Sequence, residues 1–193
     1  MIGLDMNVVI SKLINKLKQH HSLYSFPCKA ELFEEIWASI LREMTSNSEV
    51  VWEADGSHSS GADVIFRGQR HQNKGGEINH AKGTLKWSGS RTTKYKTLQE
   101  KVEFISKDKY DYYIFLSREK KDWKTGKKVY YLGIVPANKI DYGSLDWKPT
   151  EKNPKNFVGI SENLKARINH SMSDQLWTEV ELSSIGKFHR IVV

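Results

Sequence analysis

Two runs near the middle of the chain, Tyr112-Tyr113-Ile114-Phe115-Leu116 and Val129-Tyr130-Tyr131-Leu132-Gly133-Ile134-Val135, are apolar at nearly every position. A strand with one wet face alternates; strands that do not alternate need cover on both faces, so these two belong in the centre of a sheet with a layer on each side. The first layer is visible upstream. Val9, Ile10, Leu13, Ile14 and Leu17 recur at intervals of three and four, and after Pro27 so do Leu32, Phe33, Ile36, Trp37, Ile40, Leu41 and Met44. These are the stripes of two amphipathic helices. Short β-prone runs follow at Val50-Val51-Trp52 and Ala62–Phe66, separated by the loop-like stretch Asp55–Gly61, and further strands are expected around Glu77–Lys82 and Thr84–Trp87. Thr97 and Glu100 have the spacing of a capping box that opens a helix with Leu98, Val102 and Ile105 on its buried face. From Pro136 to Pro154 the chain reads as a polar surface connection, and the last forty or so residues as a mixed tail of short apolar runs without a clear period. The fold class expected is α/β (α+β): a single domain, residues 1–193, with a central mixed sheet flanked by helices.

The formal charge of +7 and a pI near 9.3 fit a protein that meets a polyanion. Cys28 is the only cysteine, which excludes an intramolecular disulfide and a cysteine-based zinc cage and points to a reducing, cytoplasmic compartment. The N-terminus lacks the basic start of a signal peptide and no long apolar run occurs, so neither export nor a membrane is expected.

The stretch from Gly61 to Lys96 bears most on function. Asp63 opens a β-prone run, a polar hairpin intervenes, and the next strand carries Glu77, His80 and Lys82; upstream lies the helical Phe33-Glu34-Glu35-Ile36-Trp37. This order resembles the PD-(D/E)XK nuclease core over residues 30 to 135, and Lys82-Gly83-Thr84-Leu85 followed by Ser88-Gly89-Ser90-Arg91 looks like type II restriction endonucleases. The resemblance implies a magnesium-dependent, site-specific endonuclease of double-stranded DNA, with Asp63 as central metal ligand, Lys82 beside the attacking water, and a homodimer on a palindromic site. It also implies a helix glutamate, for which Glu34, at the edge of the apolar stripe, fits better than Glu35.

The chain departs from the family pattern where an acid should precede the lysine by two residues, because His80 stands there. Glu77 supplies an acid but has Asn79 in the lysine place, and on a regular strand Glu77 and His80 face opposite sides. Histidine is a poorer magnesium ligand than carboxylate, so His80 is a tolerated variant at the catalytic position, or a carboxylate comes from elsewhere, such as Glu53, Glu34 or Glu35, or the site is altered; Glu77 stands as the other candidate for the second acid. Lys86, Ser88, Ser90, Arg91, Thr92, Thr93 and Lys94 form a basic, hydroxyl-rich stretch suited to DNA contact, with Arg91 able to grip a guanine. Two other readings stand beside this one: a DNA-binding module whose nuclease core has lost its acid, and a repair or junction-cutting nuclease of the same fold. A charged run or a lone Asp before a strand is more often a solvated face or a turn residue.

Overall fold

The computed structural model describes residues 3–52, 62–107 and 110–193. Two helices come first, as the stripes require. Helix α1 (Met6–Leu23) is capped by Asp5, whose carboxylate accepts from the Asn7 amide at 2.9 Å, and α2 (Ala30–Met44) buries Phe33, Ile36, Trp37, Ile40 and Leu41. Strands β1 (Val50–Val51), β2 (Val64–Phe66), β3 (Gln69–Asn79) and β4 (Thr84–Arg91) lead to helix α3 (Leu98–Ser106). The expected capping box is present there, Thr97 and Glu100 each accepting from the other's backbone. Then come β5 (Tyr112–Arg118), the short helix α4 (Lys120–Lys124), β6 (Val129–Pro136), β7 (Asp146–Thr150), β8 (Asn153–Ile160), β9 (Leu164–Asn169), β10 (Gln175–Glu181), the single turn α5 (Leu182–Ile185) and β11 (Phe188–Val192).

The eleven strands among the described residues join one mixed sheet, ordered β11-β6-β5-β3-β4-β10-β9-β8-β7, with β2 paired to β3 and β1 to β2. The pair β3–β5 is parallel and the other pairs are antiparallel. β5 and β6 are covered on both faces. Ile114, Leu116, Tyr130 and Leu132 pack with α1 and α2, while Phe115, Val129, Tyr131 and Val135 join a second core with β4, β9 and β10. Each fully buried side chain of this size contributes on the order of 1.5–3 kcal/mol. Among the described residues no helix is long and apolar enough to cross a membrane.

Three expectations are corrected. The stretch 136–154 is not a solvated connection: Ile140, Tyr142 and Leu145 are buried in the second core, Tyr142 bonds Thr178 Oγ1 at 2.9 Å, and β7 lies inside it. The tail is regular: β8, β9 and β10 form an antiparallel meander, β9 and β10 alternating buried and open residues, and β11 pairs with β6 at the other end of the sheet. Most important for function, β3 starts at Gln69 and ends at Asn79, so Lys82 lies in a turn and Gln72, Asn73 and Lys74 lie on the strand.

Candidate active site

The site begins with a two-residue turn. Arg67 and Gly68 both have positive φ (49° and 76°), the conformation of a tight hairpin that suits the twist of its strands. The turn sets the register of β2 on β3 as Val64 to His71, Ile65 to Arg70 and Phe66 to Gln69. Extending it by one residue places Asp63 opposite Gln72, with Lys74 two positions further along the same face of β3.

The other edge of β3 pairs with β5 from His71 to Glu77. On the hairpin side β2 stops at His71 and β4 starts at Glu77, so among the described residues no strand covers β3 between them. Asp63 fills the start of this gap. Its Oδ2 accepts the Asn73 backbone N–H at 2.6 Å and a bond from Gln72 Nε2.

Helix α2 brings Glu34 to the same gap. It is anchored to β3 by Trp37, whose indole N–H donates to His71 Nδ1 at 3.2 Å in the core. His71 must accept at Nδ1, which requires the neutral ring, and burial indeed pushes its pKa down to about 4.

Electrostatically the gap is unsettled. Burial raises the Asp63 carboxyl above its ordinary range, opposed by Lys74, the Asn73 N–H and Gln72. Glu34 is pushed up to about 7, first by burial and then by repulsion from Asp63. Lys74 is pushed down by burial, with Asp63, Glu34 and Glu31 pulling the other way. Neither Glu34 nor Lys74 makes a hydrogen bond or ion pair with another described residue. Two carboxylates and one ammonium thus stand partly buried beside this open strand edge, at charge–charge range and without direct contact.

The remaining sequence candidates sit elsewhere. Glu77 is exposed and paired across the sheet with Lys86 and Arg118; it is five residues past Gln72, about 16 Å along a strand. His80 rests edge-on against Tyr131, ring centres 4.8 Å apart, and its backbone N–H donates to Glu119 at 3.2 Å. Lys82 is exposed in the turn between β3 and β4. None of these three is brought to Asp63, whereas Glu34 is. Glu35 is exposed, and Glu53 and the Asp55–Gly61 loop lie outside the described residues.

In the basic stretch, Lys86, Ser88 and Ser90 are exposed on β4, Arg91 Nε donates to Gln175 Oε1 at 3.5 Å, and Thr93 and Lys94 are exposed beyond the strand. Thr92 is turned inward. It is fully buried, and both its N–H and its hydroxyl donate to the Asp174 carbonyl, at 3.1 and 3.0 Å. The Asp174 carboxylate in turn takes Lys101 Nζ at 2.6 Å and bonds His170 Nδ1 at 3.0 Å. This buried pair ties α3 and the β9–β10 turn to the end of the basic strand.

Gln72 and Lys74 were not visible as site residues in a reading by hydrophobic pattern, because Arg67–Gly76 is polar and contains two adjacent glycines. The signal that finds them is the Arg67-Gly68 turn, which fixes the pairing partner of Asp63.

The chain matches no protein-family model, no curated protein and no solved structure.

Proposed function

We propose that this chain is a magnesium-dependent endonuclease of double-stranded DNA, whose reacting centre is the cleft between β2 and β4 rather than the end of β3. The observation that carries the reading is Lys74: an ammonium set deep beside two carboxylates, paired directly with neither, on a strand edge left open.

The donor set fits a hard cation. Asp63 Oδ1, the Glu34 carboxylate and the Gln72 amide oxygen are all oxygen donors, the kind magnesium takes, and a divalent charge would favour the ionised form that burial disfavours in both carboxyls and offset the repulsion of Glu34 by Asp63. Magnesium bound there supplies neutralisation of the phosphate and acidification of a water. Asp63 bridges to β3 at the start of the gap through the Asn73 N–H and orients Gln72 through their hydrogen bond. With the ion and a phosphate bound, Lys74 would supply a positive charge near the attacking water, and the burial that lowers its pKa would ease its exchange of a proton there. Gln72, two residues before Lys74, stands where the PD-(D/E)XK pattern has an acid, so the resemblance is retained with Gln72-Asn73-Lys74 in place of His80-Ala81-Lys82.

Restriction of a specific palindrome would need two copies of the chain, one per strand. The basic strand from Lys86 to Lys94, with Arg91 for base reading, remains the proposed contact surface.

A non-cutting DNA-binding module is favoured by one observation: among the described residues no three His, Cys, Asp or Glu are grouped closely enough to cage a metal. Incubation with plasmid and phage DNA in magnesium, in calcium and in chelator separates the two. Discrete fragments in magnesium alone support the endonuclease; intact but gel-shifted DNA in every lane supports the module.

A further inference from the structure

The meander formed by β4, β10, β9, β8 and β7 buries only one of its faces. Leu85, Trp87, Leu176, Val180, Ala166 and Ile168 point into the second core. On the opposite face, cross-strand register places Ser88, Trp177, Arg167, Val158 and Lys148 in one row, and Lys86, Glu179, Lys165 and Ile160 in the next. The strands are about 4.8 Å apart, so the first row runs roughly 19 Å across five strands.

The centre of this face is a cavity of about 360 Å³ whose walls include Trp177, Lys86, Lys165, Arg167, Asn169 and Met172. Trp177 is half-buried and its indole N–H is enclosed without a partner among the described residues, so what it offers outward is its ring rather than its donor. The Lys86 ammonium lies over that ring, 5.5 Å from its centre, on the face that a stacking group would take. Lys165 and Arg167 are exposed, and Glu179 is the one acid lining the cavity. An aromatic ring and a thioether among three cations is the chemistry of a planar base attached to a phosphate chain: the base stacks, and the cations take the phosphates.

We infer that this open face binds an unpaired nucleotide of a nucleic acid strand, with Trp177 as the stacking floor for the base and Lys86, Lys165 and Arg167 as its phosphate partners. A base entering displaces the Lys86 ammonium from the ring towards the adjoining phosphate. Arg91, held against Gln175 on the neighbouring strand, extends the same face towards the basic stretch. At the other margin, Glu77 on β3 pairs with Lys86 and lies three residues from Lys74, about 10 Å along the strand. Alternation turns Lys74 to the opposite face of the sheet from Glu77, so the cavity and the gap at Lys74 are separate sites. The inference rests on nucleic acid being the partner, and not on cleavage.

The test is binding of the full chain, in chelator, to labelled oligonucleotides of about a dozen nucleotides: a single strand, a duplex with one bulged base, and the fully paired duplex. Inorganic polyphosphate serves as a polyanion without bases. The single strand and the bulged duplex should bind more tightly than the paired one. Trp177→Leu should weaken them about ten-fold while leaving polyphosphate binding unchanged, and Trp177→Phe, which keeps a ring, should retain most of the affinity. Arg167→Ala should lower the slope of log affinity against log salt by about 0.7 for the single strand. The inference is overturned if Trp177→Leu leaves oligonucleotide affinity intact, if it weakens polyphosphate equally, or if the paired duplex binds best. Because chelator removes cleavage from the measurement, failure of the nuclease reading would not alter the result. Cleavage that proceeds normally with no Trp177-dependent binding would sink this inference alone.

Discussion

Lys74 owes its place to the turn at Arg67-Gly68, because a two-residue hairpin admits a single register and that register puts Asp63 and Lys74 on one face of β3. The consequence for its neighbour Glu34 is measurable. With a pKa of about 7 in the folded chain against an ordinary 4.5, Glu34 holds its proton more tightly folded than unfolded. Its contribution to stability is therefore whole below pH 4.5 and is lost as the pH rises through 7. Glu34→Gln, neutral at every pH, should melt at a higher temperature than the wild type above pH 7 in chelator and at the same temperature near pH 4; equal melting temperatures at both would show that Glu34 is not held among like charges. Added magnesium should narrow the gap at high pH by stabilising the wild type. At this scale Asp63 and Glu34 were legible in the sequence, since an acid before a β-prone run and an acid at the edge of a helical stripe are local signals. The sequence alone favours Lys82 over Lys74 because Lys82 follows an apolar residue on what reads as strand, while Lys74 sits in a polar run that only its pairing makes a strand.

Two elements are tied to the sheet by buried polar contacts. Trp37 ties α2 to β3 through His71, and thereby sets how far Glu34 stands from Lys74. Trp37→Phe keeps most of the ring but removes the donor, and should cost about 1–3 kcal/mol in denaturant unfolding together with a loss of cleavage rate larger than that of an exposed substitution such as Glu35→Gln. Unchanged stability would place the anchor elsewhere. The second contact is the Lys101–Asp174 pair, with side chains 6% and 10% exposed. Lys101→Met leaves a buried carboxylate with only His170 beside it and should destabilise by about 3 kcal/mol, read from the urea midpoint; a cost below about 0.5 kcal/mol would be that of a solvated pair. The helices and the capping box at Thr97 were legible because period and caps are written locally. β7 to β10 were not, although β9 and β10 do alternate: their buried positions include Ala166 and Thr178, which carry little apolar signal, and Ile160 faces outward.

Across the whole molecule, the sheet separates two cores, and the helices α1 and α2 cover only the half that ends at β3. The uncovered half carries the basic strand and the cavity at Trp177, while a net charge of +7 biases the chain towards polyanions. Affinity for duplex DNA should therefore fall steeply with salt, each phosphate contact adding about 0.9 to the logarithmic slope; an affinity indifferent to salt would remove DNA as the partner. The layered α+β arrangement was legible from the two non-alternating runs, because their burial on both faces leaves few alternatives. The location of the proposed reacting centre was not, since it depends on where two strands part. That location is the central claim, and it is tested most directly by cleavage of phage DNA in magnesium by four variants, each checked for folding by circular dichroism. Asp63→Ala and Lys74→Ala should abolish cutting, and Glu77→Ala and Lys82→Ala should leave it. Cutting that survives loss of Lys74 and disappears with Lys82 would contradict the account and return the centre to the end of β3.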